Sequence, residues 1–94
     1  MFIVDIEYIA SIEDIDRYLL EHRAFLETCY QKGLLLASGP KNPRMGGILI
    51  ALGEDRLAVE AMTKQDPFFQ HHLARYTITE FSVVKCRQEI KHLI

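Results

Sequence analysis

Apolar residues recur along this chain at two spacings, and the switches between them mark its elements. In FIVDIEYI (2–9), Phe2, Val4, Ile6 and Tyr8 alternate with Ile3, Asp5 and Glu7, and the β-branched and aromatic content predicts a strand. From Ser11 the period lengthens to that of a helix, with Ile12, Ile15, Leu19, Leu26 and Cys29 on one stripe. Ser11 fits the N-cap, Glu13 and Asp14 sit where the helix dipole favours acids, and Gly33 after Lys32 fits a C-terminal cap. The helix is therefore predicted over 12–32. LLLASGP (34–40) predicts a short apolar strand ending in breakers, KNPRMGG (41–47) a loop, and GILIAL (47–52) a third strand. EDRLAVEAMTKQ (54–65) reads as a second helix, followed by Asp66-Pro67 and a short turn or helix through FFQHHL. YTITEFSVVK (76–85) alternates as a fourth strand.

The order β-α-β-β-α-β is that of a ferredoxin-like α+β sandwich, with both helices on one face of a four-stranded antiparallel sheet. The strands at 34–38 and 47–52 are apolar on both faces, whereas a sheet with one solvated face alternates. The second face needs a cover that the rest of the chain does not offer. A homodimer packed through the sheet face is expected, with further association of dimers left open.

Composition narrows the class. The 94 residues suit one domain, with a core over 1–85 and a weakly amphipathic tail, CRQEIKHLI (86–94), that packs on a neighbour. A net charge of −2 gives no electrostatic footprint for nucleic acid or an anionic membrane. The longest apolar runs, LLLA (34–37) and ILIAL (48–52), fall far short of the roughly 20 residues of a membrane span. MFIVDIEYI carries acids and no basic region, unlike a signal peptide. Cys29 and Cys86 are widely separated, which fits a reducing compartment, so a cytoplasmic location is expected.

His22 interrupts the apolar stripe of the first helix. Locally it can reach only the Tyr18 hydroxyl, and Cys29 lies two turns on, about 10 Å along the axis. An unpartnered buried imidazole costs roughly 1–3 kcal/mol, so a partner must come from elsewhere. His22 to Lys32 spans about 15 Å of helix, and Gly33 to Ser38 about 16 Å of strand, which places His22 and Ser38 at similar height. The second helix ends near Asp66 at the same edge, making Asp66 the candidate carboxylate that fixes the imidazole's tautomer. Blander readings exist for each residue. His22 can be a satisfied core residue, Asp66 an N-cap before Pro67, and Ser38-Gly39-Pro40 a strand end. Gly46-Gly47 reads as a turn or bulge leading into the third strand, and Lys41 and Arg44 as solvated loop charges or an anion clamp. His71 and His72 point about 100° apart and cannot chelate as a pair; no metal-ligand spacing, phosphate loop or dinucleotide fingerprint exists, so neither metal nor cofactor is expected.

HRAFLETCYQKGLLLASGPKNPRMGGILIA, the DPFF segment and AxYTITEF at 74–81 together resemble the YCII-related (YciI-like) family over the chain up to about Lys85. The resemblance implies the dimeric α/β-barrel fold, a ferredoxin-like monomer paired through its sheets. It implies a His–Asp active-site pair, matched here by His22 in the middle of the first helix and Asp66 of the DP motif. It also implies that the turn at Ser38, Gly39 and Pro40 lines the same pocket. Family relatives with an assigned activity resemble dehydrochlorinases of chlorinated hydroxyquinols.

Two functions follow as expectations. One is a cofactor-independent acid–base enzyme of the isomerase or lyase class, in which His22 and Asp66 move a proton on a small aromatic or oxygenated substrate. Ser38 and the backbone near Gly39 would hold an oxyanion, Arg44 an anionic group, and Tyr18, Phe25, Phe68 and Phe69 would wall the pocket. The other is a non-catalytic dimer that binds a small ligand or regulates a partner. An open, wet pocket favours the first; one filled by Phe25 and Phe69 favours the second.

Overall fold

In the computed structural model, which describes residues 1–53 and 55–94, the first strand β1 runs Phe2–Tyr8 and buries Phe2, Val4 and Ile6 on one face. The predicted 12–32 helix is two helices, α1 at Ile12–Arg17 and α2 at Leu19–Gln31. Ser11 caps α1, its hydroxyl accepting from the Asp14 N–H at 3.2 Å. The break lies at Tyr18 (φ −110°, ψ 9°), whose N–H turns back to the Ile15 carbonyl at 3.1 Å in a tight 3₁₀-type bond. The Tyr18 ring there stacks on His71, centroids 3.9 Å apart. Hydrogen bonding then restarts, and the His22 N–H reaches the Tyr18 carbonyl at 2.9 Å. His22 thus stands in the first turn of α2 and not in mid-helix.

Gly33 ends α2 as its position predicts. At φ 72° it adopts the left-handed conformation, the Leu34 N–H reaches the Cys29 carbonyl at 2.9 Å, and the Gly33 N–H reaches that of Tyr30 at 3.0 Å. This paired arrangement satisfies two carbonyls the helix would otherwise leave open. Strand β2 follows at Leu35–Pro40, with a register irregularity between Leu35 and Ala37. Ser38, Gly39 and Pro40 are therefore paired strand residues opposite Leu49, Ile48 and Gly47, and not a turn. Proline is tolerated because β2 is an edge strand.

Strand β3 runs Gly46–Ala51, so Gly46 and Gly47 belong to the ladder, where they pair with Glu7 and Ile6, and do not form a turn before it. Helix α3 spans Arg56–Thr63, capped by Asp55, whose Oδ1 accepts from the Leu57 N–H at 2.9 Å. Glu54, the first residue of the predicted second helix, lies outside the described residues. The short α4 covers Pro67–Gln70. Strand β4 runs Ala74–Glu80, two residues earlier than its pattern predicts and five shorter at its end. Its only neighbour is β1, and pairing stops where β1 begins, at Phe2 opposite Glu80. The tail forms a 3₁₀ helix at Gln88–Leu93, and Leu93 and Ile94 share a small hollow with Met1, Leu52 and Val83.

The sheet order is β2-β3-β1-β4 with every neighbour antiparallel, the ferredoxin-like α+β arrangement expected from the element order. Phe2, Val4, Ile6, Leu35, Leu49 and Ala51 from the sheet pack with Ile15, Cys29, Val59, Met62 and Phe68 from the helical side. Each large apolar side chain so buried contributes roughly 1.5–3 kcal/mol. On the opposite face Ile3, Ile48 and Ile50 form a contiguous apolar strip, half-buried and, among the described residues, outside the core that the helices cover. Ion pairs Lys41–Asp5 at 2.7 Å and Arg75–Glu7 at 3.1 Å flank it. Among the described residues no helix is long and apolar enough to cross a membrane.

Candidate functional site

Asp66 caps α4 as the Asp-Pro dipeptide predicts: its Oδ1 accepts from the Phe68 N–H at 3.0 Å, and Pro67 takes the first helical position, where no N–H is needed. The same oxygen lies 2.8 Å from His22 Nδ1. Cap and imidazole partner are thus one atom serving two donors. Asp66 is fully buried, and its other oxygen, Oδ2, accepts from the Tyr76 hydroxyl at 2.5 Å. Burial, followed by the charge and hydrogen bond of Asp66, pushes the Tyr76 phenol far above its ordinary value, so it remains a donor.

Since Oδ1 already accepts from a backbone amide, Nδ1 is the donor in the His22 contact. In a neutral ring this leaves the lone pair on Nε2. The ring is further fixed by Phe68, parallel to it within 8° at a centroid distance of 4.1 Å. Phe68 in turn meets Tyr8 edge-on at 5.9 Å. His22 is therefore held on one edge by a carboxylate and on one face by an aromatic ring. Its side chain keeps 12% exposure, and it opens onto a cleft.

The cleft has a volume of about 380 Å³, within the range of small-molecule sites. Ile6, Tyr8, Leu19, Leu26 and Leu49 form its apolar wall, and Ser38, Gly39 and Pro40 of β2 form one rim. The Ser38 hydroxyl is engaged by Tyr30 at 2.7 Å. Arg44 also lines the cleft; it pairs with Asp16 at 2.7 Å and lies 5.9 Å over the Tyr8 ring. Lys41 instead binds Asp5 on the other face of the sheet.

Six predicted site residues meet here: His22, Ser38, Gly39, Pro40 and Arg44 line the cleft, and Asp66 lies behind His22. The four predicted aromatic walls do not line it. Tyr18 is turned to His71, Phe25 packs against the core, Phe68 is buried beneath the imidazole, and Phe69 meets Tyr76 edge-on at 5.7 Å. The actual wall uses Leu19 and Leu26, one turn either side of His22, and the inward positions of β1. Tyr76 and Arg23 are site residues that the sequence reading omits. For Tyr76 a signal existed, because it shares the inward face of β4 with Ala74 and Ile78; an arginine on a helix surface carries none. Cys29 is buried, and burial raises its thiol, which marks an inert core position. Among the described residues no group of three His, Cys, Asp or Glu could hold a metal ion.

Comparison with known proteins now places the chain. No curated protein matches it. Among solved structures it is similar to 5-chloro-2-hydroxyhydroquinone dehydrochlorinase (TftG) from Burkholderia phenoliruptrix AC1100, determined in complex with 2,5-dihydroxybenzoquinone. The TM-score is 0.70 at 20% sequence identity, covering 87% of this chain and 94% of that one, a likeness of fold. Residues 1–82 match the model of the YCII-related domain, and the chain belongs to the YCII-related family.

Proposed function

We propose that the chain is a cofactor-independent acid–base enzyme of the isomerase or lyase class, acting on a small aromatic or oxygenated substrate. The observation that carries this reading is the His22–Asp66 contact, buried on the Asp66 side and open to an apolar cleft on the other. Nε2 would accept a proton from a substrate carbon or hydroxyl, and the imidazolium so formed is stabilised by Asp66 through Nδ1. The electron pair released moves into the substrate. In an isomerase it returns as a C–H bond at another carbon; in a dehydrochlorinase it expels chloride, for a net loss of HCl. Ser38 and the backbone near Gly39 stand on the rim where a developing oxyanion would be held. The dehydrochlorinase activity and bound quinone of the structural neighbour support this choice of substrate class.

The test is turnover by the wild type and His22→Gln on a panel of chlorinated dihydroxyphenols, read as chloride release, and of cyclic enones, read as deuterium exchange. The expected result is a loss of at least about a hundredfold in kcat/KM in a variant with an unchanged far-UV spectrum. Equal rates would end the enzyme reading. Absence of turnover in the wild type on both panels would favour the binding-protein alternative.

We further propose that a second copy covers the strip of Ile3, Ile48 and Ile50. These positions bring β-branched side chains together on the face the helices leave open, rimmed by paired charges as interfaces are. Sedimentation at micromolar concentration is expected to give a dimer, and Ile48→Lys a monomer. A monomeric wild type would sink this reading.

A further inference from the structure

The chain carries a net charge of −2, yet no Asp or Glu side chain lines the cleft among the described residues, whereas Arg23 and Arg44 both do. The two guanidinium groups differ in their commitments. Arg44 is held by Asp16 and lies over Tyr8. Arg23 takes part in no ion pair among the described residues, although Glu27 stands one turn on along the same helix. The Asp66 carboxylate behind His22 is fully buried and engaged by three donors, which leaves the Arg23 guanidinium, among the described residues, as the uncommitted charge on a largely apolar cleft, where it attracts an anion. We infer that the ligand of this cleft is a small monoanion, its apolar body against Leu19, Leu26 and Leu49 and its carboxylate or equivalent oxygens on Arg23, the residue that sets this preference.

The placement fits the chemistry of His22. Arg23 follows His22 directly in α2, so about 100° of helix separates the two side chains, and both reach the cleft. A planar fork of donors beside a proton-transfer group matches an oxyanion that is itself part of the reacting system, such as a carboxylate or enolate. Arg44, already neutralised by Asp16, narrows the mouth from the opposite loop and adds less net charge.

This inference rests on the proposed enzyme reading only in taking the cleft as the substrate site, and it can be tested without turnover. The probes are benzoate and benzamide, which share a ring and a planar head group and differ in charge. Binding is read from amide shifts of Arg23, Ser38 and Gly39 in ¹⁵N-labelled protein. Benzoate is expected to bind about tenfold more tightly than benzamide, as one charge-assisted contact at a partly exposed site provides. The preference is expected to fall with added salt, to collapse below about twofold in Arg23→Gln, and to be retained only in part in Arg23→Lys, which keeps the charge and loses the planar fork. Equal affinities for the two probes would overturn the inference, as would benzoate shifts mapping away from the cleft. A preference that persists in Arg23→Gln would overturn the assignment to Arg23. If benzoate is preferred while His22→Gln turns over normally, the enzyme reading fails alone; if His22→Gln is inactive and the probes bind equally, the anion inference fails alone.

Discussion

Asp66→Ala is expected to lower stability by about 3–5 kcal/mol, since it removes the acceptor of three donors at a fully buried position. For a chain of 94 residues this corresponds to a fall in Tm of roughly 10 °C or more. The same change removes the orientation of His22, so the turnover proposed for it is expected to fall as well. Asp66→Asn separates the two effects. Asn keeps a shape that fits, and with its oxygen at the Oδ1 position both the Phe68 N–H and Nδ1 retain their acceptor, so most of the stability is retained; its amide then faces the Tyr76 hydroxyl, and His22 loses the charge beside it. ¹⁵N shifts of the imidazole in this variant are expected to keep the proton on Nδ1, while turnover falls through the lost charge. Thermal unfolding of Asp66→Ala within about 1 kcal/mol of wild type would mean that the three hydrogen bonds do not hold the fold.

Tyr76→Phe completes this prediction through its pH dependence. The folded chain holds the Tyr76 phenol above its ordinary value of 10.0, so folding favours the protonated form. That contribution is complete below pH 10.0 and is lost as pH rises beyond it, because the unfolded chain ionises first. The wild type is therefore expected to lose stability on the alkaline side more steeply than Tyr76→Phe, although the variant is less stable at neutral pH by about 1 kcal/mol. Parallel alkaline limbs in urea titrations would contradict the burial of this hydroxyl against Asp66.

Gly46→Ala is the second large effect, and it concerns the sheet. A Cβ at Gly46 would stand 1.8 Å from the carbonyl oxygen of Ile6, 2.9 Å from its carbon and 3.2 Å from Glu7 Cα. All three are backbone atoms of the central strand β1, so no rotamer change relieves the clash. The two middle strands must separate, at an expected cost above about 3 kcal/mol. Gly47→Ala is the control, because its Cβ meets the Gly39 carbonyl at ordinary to slightly tight distances, 3.2 Å from the oxygen and 4.0 Å from the carbon. Unfolding midpoints are expected to rank wild type, then Gly47→Ala, then Gly46→Ala well below. Gly46→Ala as stable as Gly47→Ala would refute the close approach of β3 to β1.

The element order, the antiparallel sheet and the His22–Asp66 contact were legible because each rests on a strong local signal. Strand alternation, the Ser11 and Gly33 caps, and a polar residue on an apolar stripe are such signals. The division at Tyr18 was not, since IDRYLLEH contains no proline or glycine and its periodicity runs on through the junction. A stack with His71, far along the chain, accompanies the break, and tertiary contacts of that kind leave no mark on local pattern. The Ser38-Gly39-Pro40 segment misled for a related reason. Its residues discourage strands in general, yet an edge strand beside β3 accepts them. The aromatic walls were placed by assuming that rings near His22 in sequence face the same space, and the short α4 turns Phe68 under the imidazole instead. Tyr76 needed the strand register, which the pattern located two residues late.

The sharing of Asp66 among His22, Tyr76 and the α4 amide also sets when the site can exist. Its contacts close sequence separations of 44 and 10 residues, and the longer one spans β2 and β3. Closing so long a loop costs entropy before any contact returns it, so the His22–Asp66 contact is not a product of local folding. During synthesis His22 leaves the ribosome well ahead of its carboxylate and its phenol, and a nascent chain that ends before Asp66 has an imidazole with no carboxylate to orient it. An oriented imidazole is thereby a property of a chain that extends to Asp66 and has folded around it, and the third donor on that carboxylate waits for Tyr76.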